Sequence, residues 1–531
     1  MKAQEDARPE SYLRTVRQFA DHVLRHGRDT YGEASTPLFV DGFHADTHEP
    51  VSWHSGGERW ILSNQANQQN LFRTLTGLSV LTGEPRYKEV AAEAVRYGLN
   101  HLRYGKLIYW GGHLAFDLLA KRPVYASDKG PQHELKCHYP FYELMFELDR
   151  EETARYIEGL WDSHVRDWSN LEFSRHGKPR EHGGKEPVWE RPYAGGEVFF
   201  TGEGLTFINA GGDLYYAATH DYRSTGNEAA LEWAKRLARR YADTRHPGTG
   251  MGGYQFNISV LPGVRGDRAI DQFAERLKGR RVMEATLSVA RQIHTITAEA
   301  ALCRFALADA LGPKGAEFGR LAVEDLLAYG EHAYEAETAS FHPVLTDGTR
   351  LTGLVMEKSG YYGRQGDTLK ATKADLLQLW SYLKGFRLTG DGRLWEWARS
   401  MAAGTGLGEI GESPGAEPAL HPGESSEPSA VFALLELYGG AGHPAYLEAA
   451  CAVGDNIVAR RFHKSVFLAE PNRTYAKLDA VEPLALLHLA GELTGRRKEV
   501  PVYCGSKAFF GAAYDGHGHM IDNSFIYSRR L

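Results

Sequence analysis

The sequence predicts an all-α-dominated fold, a run of helical hairpins arranged around an axis, with long loops and a few short strands. Three observations lead there. Apolar residues recur at helical spacing through most of the chain, strand-like alternation is sparse, and a short helix-ending motif returns four times, at Leu81-Thr82-Gly83, Ser224-Thr225-Gly226, Leu388-Thr389-Gly390 and Leu493-Thr494-Gly495.

The helical elements begin with residues 11–26, where Leu13, Val16, Phe19, Ala20 and Val23 share one face. The same period marks 68–81, 87–103, 151–163, 228–242, 284–309, 317–335, 372–387, 393–403, 429–438, 444–459 and 480–494. Extended candidates are short: 198–202 (VFFTG), 253–261 (GYQFNISVL) and 465–470 (SVFLAE). A glycine just past a helix can take the left-handed conformation that closes it, and in the first three motifs an amphipathic stretch follows at once. Helix, stop, helix is a hairpin. Hairpins packed around an axis form an inner and an outer ring and leave a cleft lined by inner-helix ends and loops. The Gly/Pro/Glu-rich stretch Gly404–Pro428 has helical material of the same character on both sides, so it reads as an elaborated loop and residues 1–531 as a single catalytic domain.

Composition narrows the function. With 42% hydrophobic and 24% charged residues the chain is a globular protein, and a net charge of -7 without a basic run argues against a nucleic-acid partner. A local cationic cleft or a bound metal could still receive an anionic sugar polymer. No stretch approaches the roughly 18 apolar residues of a membrane span, so no membrane partner is expected. The N-terminal MKAQEDARPESYLRTVRQF shows no secretion signal, and Cys137, Cys303, Cys451 and Cys504 form no Cys-x-x-Cys pair. Together these place the protein in the cytoplasm, as an expectation; oligomeric state is not legible.

Metal-capable and charged side chains are densest between 110 and 213. Trp110-Gly-Gly-His113 is followed by the apolar run to Asp117, then by His133, Glu134, His138 and Glu143, then by Arg175, His176, Lys178, Arg180 and His182. His133 and His138 are five apart, which excludes the His-Glu-x-x-His helix of a metallopeptidase. One carboxylate with two histidines suits a borderline divalent ion and leaves positions for substrate oxygens, whereas the lack of cysteine ligands argues against a closed zinc site. Taken alone, His113 reads as a hydrogen-bonded structural histidine. Trp110, Trp189 and Tyr193 could stack on sugars, yet each is better read as core. The run 197–213 offers Glu197, Glu203, Asn209 and Asp213 without the spacing of a nucleotide fingerprint, and His517, His519 and Asp522 near the C-terminus read as a fold-back cap.

At these residues the chain resembles polysaccharide lyase family 2, the pectate lyases built on an (α/α)7 barrel. The likeness lies in the ordered Trp-Gly-Gly-His segment ending at His113, the His-Glu-Leu-Lys segment containing Glu134, the Arg175-His176 pair, and the Thr-Pro-Leu-Phe-Val-Asp-Gly run at 36–42. The resemblance implies that His113, Glu134 and His176 bind a catalytic divalent metal, usually manganese, with cobalt, nickel or iron as alternatives, and that Arg175 is the Brønsted base. It also implies exo-acting β-elimination on polygalacturonate or oligogalacturonate, releasing unsaturated digalacturonate.

That chemistry asks for such parts. Loss of the C5 proton of a galacturonate places charge on the C6 carboxylate, which a metal and nearby cations stabilise. Arginine is an awkward base because guanidinium groups hold their protons beyond about pH 12; the metal, Lys178, Arg180 and Arg191 would push Arg175 toward its neutral form. The principal rival is an inverting glycoside hydrolase acting on uronic-acid oligosaccharides, whose product gains water instead of a double bond. A sugar epimerase would shorten nothing, and a sugar-binding protein would need neither Arg175 nor a metal.

Overall fold

Helices carry the architecture, and they come in pairs. The computed structural model describes residues 7–55, 57–111, 114–125, 130–179, 187–196, 211–253, 296–359 and 363–506, with the short pieces 206–207, 255–256, 284–286, 288–289, 292–293, 512–514 and 520–522. Among the described residues, fourteen α-helices follow one another: α1 (Arg8–His26), α2 (Gln69–Thr82), α3 (Arg86–His101), α4 (Tyr142–Leu148), α5 (Arg150–His164), α6 (Gly211–Thr225), α7 (Glu228–Asp243), α8 (Ile296–Leu311), α9 (Ala316–Ala333), α10 (Leu376–Thr389), α11 (Gly392–Gly404), α12 (Pro428–Ala441), α13 (Pro444–Arg460) and α14 (Glu482–Leu493).

Successive pairs from α2/α3 to α12/α13 pack as hairpins, and α14 packs on α1, so the last helix closes onto the first. The leading members touch in sequence: α4 meets α6, α6 meets α8, and so on through α10, α12 and α14, which reaches back to α2. Seven pairs therefore form the expected (α/α)7 toroid, with the leading helices inside.

Burial follows position. Inner α2 is enclosed nearly all round and buries even Gln69, Asn70, Arg73 and Thr74, whereas outer α7 buries one stripe, Ala230, Leu231, Ala234, Leu237, Ala238 and Tyr241.

The recurrent stop works through both of its residues. Thr82, Thr225, Thr389 and Thr494 each donate the hydroxyl to the carbonyl four residues back, at 2.7, 2.7, 2.9 and 2.7 Å. The glycines that follow have φ of +76, +81, +68 and +69°, the region only glycine enters freely. In the first three the same hydroxyl then accepts the N–H two residues on, from Glu84, Asn227 and Asp391, and the next helix starts.

Two helices depart from the sequence expectation by appearing where none was read. Inner α6 opens on Gly211-Gly212 and is buried on almost every side, so it has no polar face to give it a period. Helix α4 is seven residues long, too short for a periodic signal. Helix α8 starts at Ile296 instead of 284, and Glu284 forms an extended bridge with Leu345.

Strands are short and belong to the loops: β1 (Gly42–His44), β2 (Ser52–Ser55), β3 (Glu58–Ser63), β4 (Leu114–Asp117), β5 (Arg122–Tyr125), β6 (His133–Glu134), β7 (His176–Gly177) and β8 (Tyr475–Lys477). β2 to β5 make one antiparallel sheet, while β6 pairs with β7 and β1 with β8. Of the expected extended runs, Val466–Phe467 pairs with Phe462–His463 and Gln255–Phe256 with Thr206–Phe207, while 198–202 lies outside the described residues. The 404–428 stretch is tied to helices before and after it: the Trp395 indole donates to Gly411 O at 3.2 Å and the Tyr446 hydroxyl to Ile410 O at 2.7 Å.

Candidate active site

The site is assembled by loops that cross the inner helices. Asn64 grips the backbone of Gly111 from both sides, accepting its N–H at 3.0 Å and donating to its carbonyl at 2.6 Å. Gly111 has φ +111°, and a Cβ there would sit 3.3 Å from the His133 ring and 3.4 Å from the backbone of Glu134. Only glycine lets the chain pass this close over β6. His113 itself lies outside the described residues, as do Arg180, His182, Glu197, Glu203, Asn209, His517 and His519.

The β6–β7 register sets Glu134 opposite His176 and His133 opposite Gly177. Directly opposed residues project to one face, so Glu134 and His176 converge while His133 points away. The Leu135 N–H donates to Arg175 O at 2.9 Å and locks the pairing. Glu134 is fully buried. Its Oε1 lies 3.2 Å from Arg175 Nη2 and 3.4 Å from His176 Nε2, and its Oε2 lies 3.2 Å from Lys136 Nζ. Three of the four residues singled out from the sequence thus meet on one carboxylate.

A carboxylate oxygen and an imidazole nitrogen 3.4 Å apart match the separation of two ligands each about 2.0–2.2 Å from a common ion. The donor set fits a divalent metal. Among the described residues a second group, His22, His26 and His48, could also coordinate one.

Behind β6 and β7 lies a device the sequence did not disclose. His164, at the end of α5 and wholly buried, meets Ser174 O with Nδ1 at 2.7 Å and His133 Nδ1 with Nε2 at 2.8 Å. Burial pushes His164 down to about 3, so it is neutral. A carbonyl only accepts, so His164 Nδ1 carries the proton and its Nε2 accepts from His133 Nδ1–H. His133 is left with a bare Nε2 beside a cavity lined also by Trp110, His138, Tyr142 and Asp213. Gly177 completes the fit, because a Cβ there would lie 2.6 Å from His164 Nε2.

Asp213 shapes the next loop. Its carboxylate accepts the N–H groups of Cys137 at 2.7 Å and Tyr139 at 3.4 Å, and both of those residues have positive φ, +56 and +43°. Burial pushes Asp213 up to about 7 against the pull of these donors.

Other candidates are committed elsewhere. Glu143 faces Arg223 at 3.3 Å and His220 at 3.8 Å. Arg191 is held by Asp162 at 2.6 Å and lies over the Trp168 ring at 4.7 Å. Trp110 donates to the Tyr156 hydroxyl at 2.9 Å and Trp189 packs on Trp161, both buried in the core as read, while Tyr193 is half-buried and packs on Trp233 at the edge of the core. No helix among the described residues is long and apolar enough to cross a membrane.

Residues 36–513 match the family model described as periplasmic pectate lyase. A pectate disaccharide-lyase of Dickeya dadantii is 30% identical, with 98% of this chain and 97% of the relative aligned. Among solved structures, a D-mannose isomerase (12% identity, 92% of this chain and 97% of that one, TM-score 0.45) and a cellobiose 2-epimerase from Bacillus thermoamylovorans (9%, 91% and 100%, TM-score 0.45) are similar too distantly to bear on activity. The match to a periplasmic family overturns the cytoplasmic location expected from the sequence. Buried cysteines outside any disulfide, as all four are here, pack as small apolar residues and do not report a compartment. On the match over 36–513 and the near-full-length relative, the chain belongs to the family of periplasmic pectate lyases.

Proposed function

We propose that the chain works as one catalytic unit, a metal-dependent pectate lyase that cleaves polygalacturonate or oligogalacturonate by β-elimination from a chain end, releasing unsaturated digalacturonate. Family membership and the disaccharide-lyase relative support the reaction class. The observation that carries the site is the ladder pair Glu134–His176 with Arg175 on the same carboxylate oxygen.

Glu134, His176 and His113 would hold the metal, manganese first, with cobalt, nickel and iron as alternatives. When bound, such an ion supplies Lewis acidity toward the uronate carboxylate as C5 becomes electron-rich. The protein's own groups do the rest. Arg175, as the neutral guanidine, would take the C5 proton and become guanidinium; the C5–H electrons become the C4=C5 double bond as the C4–O4 bond breaks, and O4 leaves with the bonding pair and takes a proton from water. Lys136, held over Glu134, would face the incoming carboxylate as a second cation.

The test is ultraviolet absorbance on mixing with polygalacturonate, with and without chelator, for wild type and Glu134→Gln. Rising absorbance that chelator and the substitution both abolish is expected. New reducing ends without absorbance would instead mark the hydrolase, and chelator-resistant elimination would remove the metal.

A further inference from the structure

Far along the sequence from the Glu134 ladder, the last turns of α1 carry His22 and His26 one helical turn apart, and the turn after β1 carries His48. Ring centroids lie 4.6 Å apart for His22–His26, 4.8 Å for His22–His48 and 4.0 Å for His26–His48. One nitrogen from each ring lies within 4.8 Å of the others. Two nitrogens on one tetrahedral ion, each about 2.1 Å from it, stand about 3.4 Å apart, so a set already within 4.8 Å must draw in by no more than about 1.4 Å per pair. His22 Nε2 is buried and has no hydrogen-bond partner among the described residues, a placement that ordinarily costs ~1–3 kcal/mol.

The turn is built to present His48. The His44 ring accepts the N–H groups of Asp46 and Thr47 at 3.1 and 3.2 Å, and His48 N–H donates back to His44 O at 2.9 Å. Phe43 closes the apolar side against His22 and His48. Asp46 is held in turn by Lys464, so it is engaged away from the imidazoles. The C-terminal end of α1, the negative end of its dipole, favours a cation here.

We propose that His22, His26 and His48 bind a divalent transition ion of the zinc, nickel or copper class and clamp the 44–49 turn onto the N-terminal helix, at a site separate from the lyase centre. Imidazole donors without a carboxylate prefer these ions to manganese, magnesium or calcium. The clamp ties α1 to β1, whose partner β8 comes from the far end of the chain, so its effect is on ring closure and not on the chemical step.

Calorimetric titration of the full chain with nickel alone, in the Glu134→Gln background that weakens the other centre, tests this. One ion per chain is expected, with a rise in Tm; adding His26→Ala should weaken nickel binding about tenfold or more and abolish that rise. His48→Ala in the otherwise wild-type chain provides a second route: it should lose one nickel per chain while lyase activity at saturating manganese stays unchanged. Equal nickel affinity with and without His26 and His48, or manganese bound to this set as tightly as nickel, would overturn the proposal.

Discussion

His164→Ala should unfasten the β6–β7 ladder without touching a substrate-facing group. The substitution removes two buried hydrogen bonds, to Ser174 O and His133 Nδ1, and leaves both partners enclosed. At ~1–3 kcal/mol for each stranded group, the loss is about 2–6 kcal/mol. An unfolding entropy of ~2.1 cal/mol/K per residue makes this a fall in Tm of roughly 2–5 °C for a chain of this length. Differential scanning calorimetry reads the fall, and ultraviolet-monitored turnover should drop with it because Glu134 and His176 lose their backing. Gly177→Ala sharpens the test. In wild type its Cβ would meet His164 Nε2 at 2.6 Å, an overpacking that costs about 1–3 kcal/mol; in the His164→Ala background the same methyl enters vacated space and the cost should vanish. Additive losses in this double-mutant cycle, or a wild-type Tm for His164→Ala, would refute the relay.

Arg175→Lys should keep metal affinity and most substrate affinity yet lower kcat by roughly 10²-fold or more; separate measurement of kcat and Kd decides, since near-normal kcat with poor affinity would make Arg175 a carboxylate clamp and return the search to Lys178 or His182. For Asp213 the folded value, about 7, stands above the ordinary 3.8 of an aspartate. Its contribution is therefore fully present below about pH 4 and lost as pH rises through about 7, at most ~4 kcal/mol by linkage; urea melts from pH 4 to 8 should show a shallower slope for Asp213→Asn, and an unchanged slope would assign the titration elsewhere. Gly390→Ala meets no atom within 4 Å, so its cost is the left-handed backbone alone, about 1–2 kcal/mol, measurable by urea denaturation.

What could be read from the sequence was what repeats or sits in short segments. The Thr-Gly stops foretold the hairpins because their hydrogen bonds are local, each hydroxyl reaching only four residues back. Glu134, Arg175 and His176 were legible as residue types in order. Their convergence was not, because it depends on the pairing of two-residue strands some forty positions apart, too short to leave any alternation. Inner α6 escaped for the opposite reason: enclosed on almost every side, it offers little contrast between faces. His164 left no signal at all. A histidine in the last turn of a helix usually answers the helix dipole, and only the fold reveals that this one is buried between Ser174 and His133.

The charge around Glu134 connects these parts to a polyanionic substrate. In the resting protein the buried Glu134 carboxylate faces Arg175 and Lys136, so two cationic side chains share it before a metal or His113 is counted. A dication held by Glu134 would compete with both for the same two oxygens and raise the local positive charge further. Both cations are partly exposed, Arg175 at 21% and Lys136 at 16%, and a uronate carboxylate is an anion suited to meet them there. The chain's net charge of -7 does not oppose this, because low-dielectric walls make the nearest charges dominate. It follows that substrate affinity should fall steeply with ionic strength in wild type and less steeply in Lys136→Met, which removes one of the two cations while keeping an unbranched side chain. Identical salt slopes for the two proteins would mean that Lys136 serves only to neutralise Glu134 and that the sugar carboxylate is met by other groups.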